Sequence, residues 1–308
     1  MLSQVLFDAL AASRSVRAFV SKRGLRRESS FARRFVAGET VADAVAAART
    51  IEAAGLTQTL HYLGPAVATM SEADMATRTC IRILHEIAAA GIGRNVSLKP
   101  TQHGVSVDRA TCVDNLRRVL DAAGAQDFFV RIDMEDSRYT QVTLDIFETV
   151  WQQGYRNVGV VLQAYLARSV EDTRRMNALG ARVRLVKGAY REPGRIAYRS
   201  NARRNRAFIA IMELLLTEGT DPAIATHDPG LIEATTTFAA TRGIPADRYE
   251  FQMFYGVRPD LQTGLTSRGY RVRVYIPFGG EWFPYVMRCL GKRPADVGFV
   301  LRNLLLDR

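Results

Sequence analysis

Eight short apolar segments, each followed by a helical pattern, constrain this chain more than any other feature. They read TQTLHYLG (57–64), NVSLKP (95–100), FFVRIDM (128–134), NVGVVLQAY (157–165), RVRLVKGAY (182–190), PAIATHD (222–228), YEFQMFYG (249–256) and RVRVYIPFG (271–279). Rich in Val, Ile, Leu and Phe and bounded by turn residues, they have strand character. Several are apolar on both faces, as in a parallel sheet covered by helices. Eight strand–helix units predict an α/β fold of the (β/α)8 TIM type. An open doubly wound sheet is the other arrangement of eight strands. The barrel is preferred because no G-x-G-x-x-G follows any strand. The 308 residues exceed the roughly 250 of a typical barrel, so residues 1–56 are expected to form an N-terminal helical arm before a barrel over 57–308. Helix starts are expected at Thr40 with Asp43, Ser71 with Asp74, and Ser169 with Asp172. Helix ends are expected at Gly55, Gly91, Gly124, Gly154, Gly180, Gly243 and Gly269. A last helix follows Pro294.

A barrel carries its site at the C-terminal strand ends. Those ends hold His61, Lys99, Asp133, Gln163, Arg184 with Lys187, Thr226 with His227, Gln252 and Tyr275. Polar groups there are costly unless paired or liganded. Lys99, Arg184, Lys187 and Arg288 suggest a cationic pocket for a phosphate or carboxylate, with Asp133 as the only acid on a central strand end. A metal site is not expected, since the surrounding lysines and arginines would repel a cation. Lys99 or Lys187 could form a Schiff base. Structural readings stand beside these: Asp133 pairing with Lys99 or Arg131, Arg184 in a buried ion pair, His227 in the core, and Tyr275 and Trp282 as packing aromatics. His85 and His103 read as surface residues without a role.

The net charge of +11 is mostly local. Between Arg14 and Arg34 eight basic residues face one acid, Glu28, giving 8 − 1 = +7. Contact with an anionic membrane surface or a solvated helix face would explain it. Its Arg- and Ser-rich, acid-poor character is also that of a transit peptide. Nucleic-acid binding is not expected, because no recognition motif surrounds the charge. Three cysteines without CxxC spacing suit a reducing, cytoplasmic setting.

The motifs NVSLKPTQHG, RIDMED, VVLQAY, RLVKGAY, ATHD, YEFQMFYGVR and YIPFGGEWFPYVMR resemble, in order and spacing, the proline dehydrogenases over roughly residues 35–308. The resemblance implies a barrel holding non-covalent FAD. It implies oxidation of L-proline at C5 by hydride transfer to flavin N5, giving 1-pyrroline-5-carboxylate, with electrons passed to a membrane quinone. It implies substrate-carboxylate binding by Lys99, Arg288 and position 289, and packing of Tyr275 against the proline ring. Asp133 would be a catalytic residue and Arg184 would lie by flavin N5. Flavin contacts would come from Met134, Gln163, Arg184, Val186, Lys187, Gly188, Ala189, Thr226 and His227.

Departures cluster at the substrate end. The family pairs two arginines on the last barrel helix; here Arg288 precedes Cys289. The family's first strand ends in an aspartate-containing segment closed by Gly-Glu. Here it reads LHYLGP, with Pro65 at the glutamate position. Pro100 and His103 replace residues that are usually apolar. Flavin positions kept and substrate positions altered also fit a dehydrogenase or oxidase of a modified proline or another cyclic or secondary amine. A Schiff-base barrel lyase and a non-catalytic flavin-binding protein are the readings of other classes.

Overall fold

The computed structural model describes the backbone of residues 31–291 and the side chains of residues 32–287. The basic residues before position 31 and the helix expected after Pro294 lie outside the described residues. After a 3-10 turn (Phe31–Arg34) and α1 (Val41–Ala53), strands and helices alternate. The first half runs β1 (Thr57–Tyr62), α2 (Met70–Ala89), β2 (Asn95–Leu98), α3 (Arg109–Gly124), β3 (Phe129–Ile132), α4 (Ser137–Gln152), β4 (Val158–Gln163) and α5 (Ser169–Ala178). The second runs β5 (Arg182–Val186), α6 (Asn201–Glu218), β6 (Ala223–Ala225), α7 (Pro229–Thr241), β7 (Glu250–Phe254), α8 (Pro259–Ser267), β8 (Arg271–Phe278) and α9 (Trp282–Gly291). All eight strands pair in parallel with their sequence neighbours, and β8 closes on β1. Each strand falls within a segment expected from the sequence.

The helix ends hold one agreement and two corrections. Thr40 and Asp43 form the expected capping box of α1. The expected Ser71–Asp74 start of α2 is displaced by Thr69 and Glu72, which satisfy each other's backbone N–H groups. Glutamate is the longer side chain and reaches back to the amides of Ala68 and Thr69, at 2.8 and 3.0 Å. Ser169 is likewise no cap: its hydroxyl donates to the Gln163 carbonyl at 2.6 Å, tying α5 to the end of β4.

Alternation along parallel strands turns every second residue into the barrel. The lower interior is ionic. Glu250 of β7 accepts from Arg273 Nε at 3.0 Å and from Gln252. Arg273 also donates to the Gln58 carbonyl at 2.8 Å. Arg131 of β3 lies across β4, donating to the carbonyls of Val160 and Arg182. Gly159 makes room for it, since a Cβ there would stand 2.6 Å from Arg131 Nη1 and 2.5 Å from the Arg182 carbonyl oxygen. This buried layer, tied by the Glu250–Arg273 pair and by bonds to backbone carbonyls, closes the floor and leaves the C-terminal half for the site.

The β1–β8 seam is clamped from outside. Its register runs from Thr57↔Arg273 to Tyr62↔Phe278. The segment before α1 bonds to both sides of the end of β8: Ala37 N to Pro277 O and Gly279 N to Gly38 O, each 2.9 Å. Trp282 Nε1 donates to Glu39 at 3.1 Å. The small buried face of α1, Ala44, Ala47 and Ala48, lets that helix press close.

Candidate active site

Asp133, Arg184 and Tyr275 meet at the C-terminal end of the barrel. Arg184 Nη1 donates to Asp133 Oδ1 at 2.7 Å, and Tyr275 Oη donates to Asp133 Oδ2 at 2.8 Å. Arg184 Nη2 donates to Ser97 Oγ at 2.9 Å. The Arg184 guanidinium also lies 5.4 Å from the Tyr275 ring centroid. A buried ion pair is tolerable when further hydrogen bonds surround it; Ser97 and Tyr275 supply two here, and Arg184 Nε alone is left without a protein partner. Burial, then the Asp133 carboxylate, push the Tyr275 phenol well above its ordinary range. It therefore stays a donor. The structural reading of Arg184 as a member of a buried ion pair is met, with Asp133 as its partner, whereas Arg131 turns to backbone carbonyls. Ser97 was missed by sequence reasoning; its signal was a hydroxyl on the inward parity of β2.

His61 completes the chamber wall. Its Nδ1 lies 2.9 Å from the Ser97 carbonyl, so Nδ1 carries the proton. Its ring stands 5.3 Å from that of Tyr275. Burial, then the positive charge of Lys99, push its pKa down to about 4. Lys99 itself follows β2, at the start of the 3-10 turn Pro100–His103, and is half-buried.

Two further acids stand near the strand ends, so Asp133 is not the lone carboxylate there. Glu135 is gripped by Thr101, whose N–H and Oγ1 donate at 3.0 and 2.8 Å. Burial raises the Glu135 pKa, opposed by Lys99. Asp228 caps α7 and accepts from Lys187 Nζ at 3.0 Å.

The predicted flavin contacts lie along the same rim. Gln163 donates from Nε2 to the Glu135 carbonyl at 2.8 Å, and Met134 is buried beside it in sequence. Val186 pairs with Gln163, and the Lys187 carbonyl accepts from Tyr165 N at 3.0 Å. Gly188 has φ +110°, and a Cβ there would stand 2.2 Å from the Tyr165 ring; only glycine fits. Ala189 is exposed. Thr226 Oγ1 accepts from Asp228 N at 3.1 Å. His227 accepts from Phe254 N at 2.8 Å and stacks on the Phe254 ring at 5.5 Å. Phe254, a residue the sequence left unassigned, is 41% exposed and meets Tyr275 edge-on. It offers a flat aromatic shelf at the mouth. Tyr285, also unassigned, is buried on α9. Arg288 and Cys289 lie on α9; their side chains are outside the described residues.

His103 differs from expectation. It is buried in the 3-10 turn Pro100–His103, with Nδ1 3.0 Å from Thr77 Oγ1. Burial pushes its pKa down to about 4. Histidine in an unfolded chain titrates near 6.5. Between these values the unfolded chain binds protons that the folded His61 and His103 refuse. Stability is therefore full above about pH 6.5 and falls toward pH 4, by up to about 1.4 kcal/mol per pH unit for each histidine. Urea midpoints measured across that range should drop steeply for the wild type and less steeply for His103→Gln. Parallel curves would contradict this.

Comparisons with known proteins converge. A family profile described as proline dehydrogenase matches residues 44–291. Proline dehydrogenase 1 of Bacillus subtilis is 39% identical over 274 residues, covering 89% of this chain and 90% of that protein. The proline dehydrogenase of Deinococcus radiodurans is 36% identical over 280 residues, covering 90% of each. A crystal structure of proline utilization A from Bdellovibrio bacteriovorus, inactivated by N-propargylglycine, superposes with a TM-score of 0.80 at 24% identity. It covers 87% of this chain, which spans about a third (33%) of that larger protein.

Proposed function

Since the chain belongs to the proline dehydrogenase family, we propose that it oxidises L-proline with FAD, giving 1-pyrroline-5-carboxylate, through the Asp133–Arg184–Tyr275 cluster. That cluster is the observation carrying the reading: an acid, a guanidinium and a phenol, buried and mutually bonded at the barrel mouth. The rim beside it suits a flavin. Phe254 offers an aromatic face, Lys187 a cation, and the backbone around Gly188 a close approach. Arg184 also keeps a buried Nε without a protein partner, a donor ready for a ligand. Gln163, Val186–Ala189, Thr226 and His227 would hold the cofactor. When bound, the flavin supplies a two-electron acceptor for the hydride leaving the carbon beside the amine.

The residues of the chain supply position and field. Lys99 and Arg288 neutralise the substrate carboxylate and fix the ring, converting a bimolecular encounter into an oriented one. Arg184 favours negative charge developing in the transition state, and Asp133 and Ser97 hold it in place. Tyr275 packs against the ring while its hydroxyl stays on Asp133. Electrons leave to a quinone or another acceptor. The basic segment before residue 31 would bring the enzyme to a membrane surface from the cytoplasm; among the described residues no helix is long and apolar enough to cross one.

Purified protein should be yellow, and acid precipitation should release FAD to the supernatant. L-Proline added without oxygen should bleach it. Flavin retained in the pellet contradicts non-covalent binding. A colourless protein trapped by borohydride with a carbonyl substrate supports the lyase instead. A yellow protein that no amine bleaches supports a non-catalytic flavin-binding protein.

A further inference from the structure

One buried acceptor at the site is left incomplete by the protein itself. His61 is 1% exposed, and its Nε2 has no hydrogen-bond partner. Its tautomer is fixed from the other side: Nδ1–H donates a hydrogen bond to the Ser97 carbonyl. Nε2 therefore presents a lone pair and no proton. A buried acceptor without a partner is expensive, and native proteins keep one where a ligand or water completes it. The neighbourhood says which ligand atom fits. Nearby Lys99 and Arg184 are donors without acceptor capacity, and each Asp133 oxygen already accepts one hydrogen bond, from Arg184 or Tyr275, while His61 Nε2 accepts none. A substrate with a carboxylate and a ring N–H finds donors for the first and, in Nε2, an uncharged acceptor for the second.

We infer that His61 Nε2 is a substrate-binding acceptor that takes a hydrogen bond from the ring N–H of the cyclic amine. The inference rests on the proline dehydrogenase reading above and assigns the contact to a residue outside the cluster that carries it. An uncharged acceptor holds the nitrogen without pairing off a formal charge. It therefore does not oppose the electron flow from nitrogen toward carbon that accompanies hydride departure.

The test separates the amine contact from mere support of the chamber. His61→Phe keeps a ring against Tyr275 but removes the acceptor. Its kcat/KM for L-proline should fall about 10- to 100-fold. Its inhibition constant for oxolane-2-carboxylate, whose ring oxygen has no proton to donate, should stay the same or improve. His61→Asn, whose shorter amide stops before the Nε2 position, should behave like His61→Phe. His61→Gln, which can place an amide oxygen there, should recover most of the proline activity. Equal weakening of proline and oxolane-2-carboxylate would overturn the inference in favour of a packing role. Unchanged proline kinetics with a selective loss on trans-4-hydroxy-L-proline would overturn it too, assigning the acceptor to a ring hydroxyl. A wild type that binds flavin but turns over no cyclic amine overturns the functional reading itself, a different outcome from either.

Discussion

Arg184→Ala should lower kcat on L-proline by about 10²–10³, the usual cost of losing one preorganised electrostatic contact. It should also destabilise the fold. The side chains of Arg184 and Asp133 are only 5% and 12% exposed, and breaking a buried pair from one side typically costs about 3–5 kcal/mol. Tyr275 still donates to Asp133, which places the loss at the lower end of that range. The two effects separate in a double-mutant cycle. Adding Asp133→Asn to Arg184→Ala removes the orphaned charge and should restore part of the urea midpoint without restoring turnover. If the midpoint and kcat recover together, Arg184 acts through folding alone. If Arg184→Ala leaves kcat and flavin reduction by proline unchanged, the guanidinium is a structural ion pair.

Cys289→Arg should raise kcat/KM for L-proline about 10- to 100-fold. A hydrogen bond to a charged group contributes roughly 1.5–3 kcal/mol, and each 1.4 kcal/mol is a factor of ten. Cysteine at position 289 supplies neither a cation nor a strong donor. Pro65, exposed in the loop after β1, stands where the family resemblance implies a glutamate, and offers no carboxylate to a neighbouring cation. Weak proline turnover by the wild type is therefore expected. The informative measurement pairs the wild type and the variant on L-proline and on the best substrate from a screen of cyclic amines. A gain on proline with a loss on the other amine identifies a site adapted to that amine. Strong wild-type turnover of proline, with no gain from arginine, would remove position 289 from carboxylate binding.

The strands were legible because parallel strands buried on both faces are written as unbroken apolar runs, and eight such runs leave few topologies. The inward polar residues were legible for the same reason, since an Asp or Arg inside such a run has nowhere cheap to go. Their partners were not. Arg184 and Asp133 are 51 positions apart, and no local pattern distinguishes this pairing from Asp133 with Arg131, two residues away. Arg131 instead faces the ionic floor, one layer below. The α2 start was ambiguous because Thr69–Glu72 and Ser71–Asp74 both satisfy the capping pattern; Asp74 is instead taken up by Arg78 and Arg118. His103 looked exposed because it follows a Pro in a polar stretch, yet the 3-10 turn folds it under α2, where Thr77 meets it. Phe254 and Tyr285 look like ordinary core aromatics in sequence, and only the barrel's closure brings them to one mouth.

The clamp across the β1–β8 seam also sets an order on synthesis. Residues 37–62 bind to a strand made more than two hundred residues later, as the Thr57↔Arg273 pair illustrates. At roughly 5–20 residues per second, a ribosome needs on the order of 10–40 s to reach β8. For that interval the small-residue face of α1 and the open edge of β1 have no native partner. The half-barrel that emerges first must wait with its edge exposed, the condition in which nascent chains recruit chaperones. Closure is then a single late event, in which the last strand docks between β7 and β1 and the waiting N-terminal segment folds over the join.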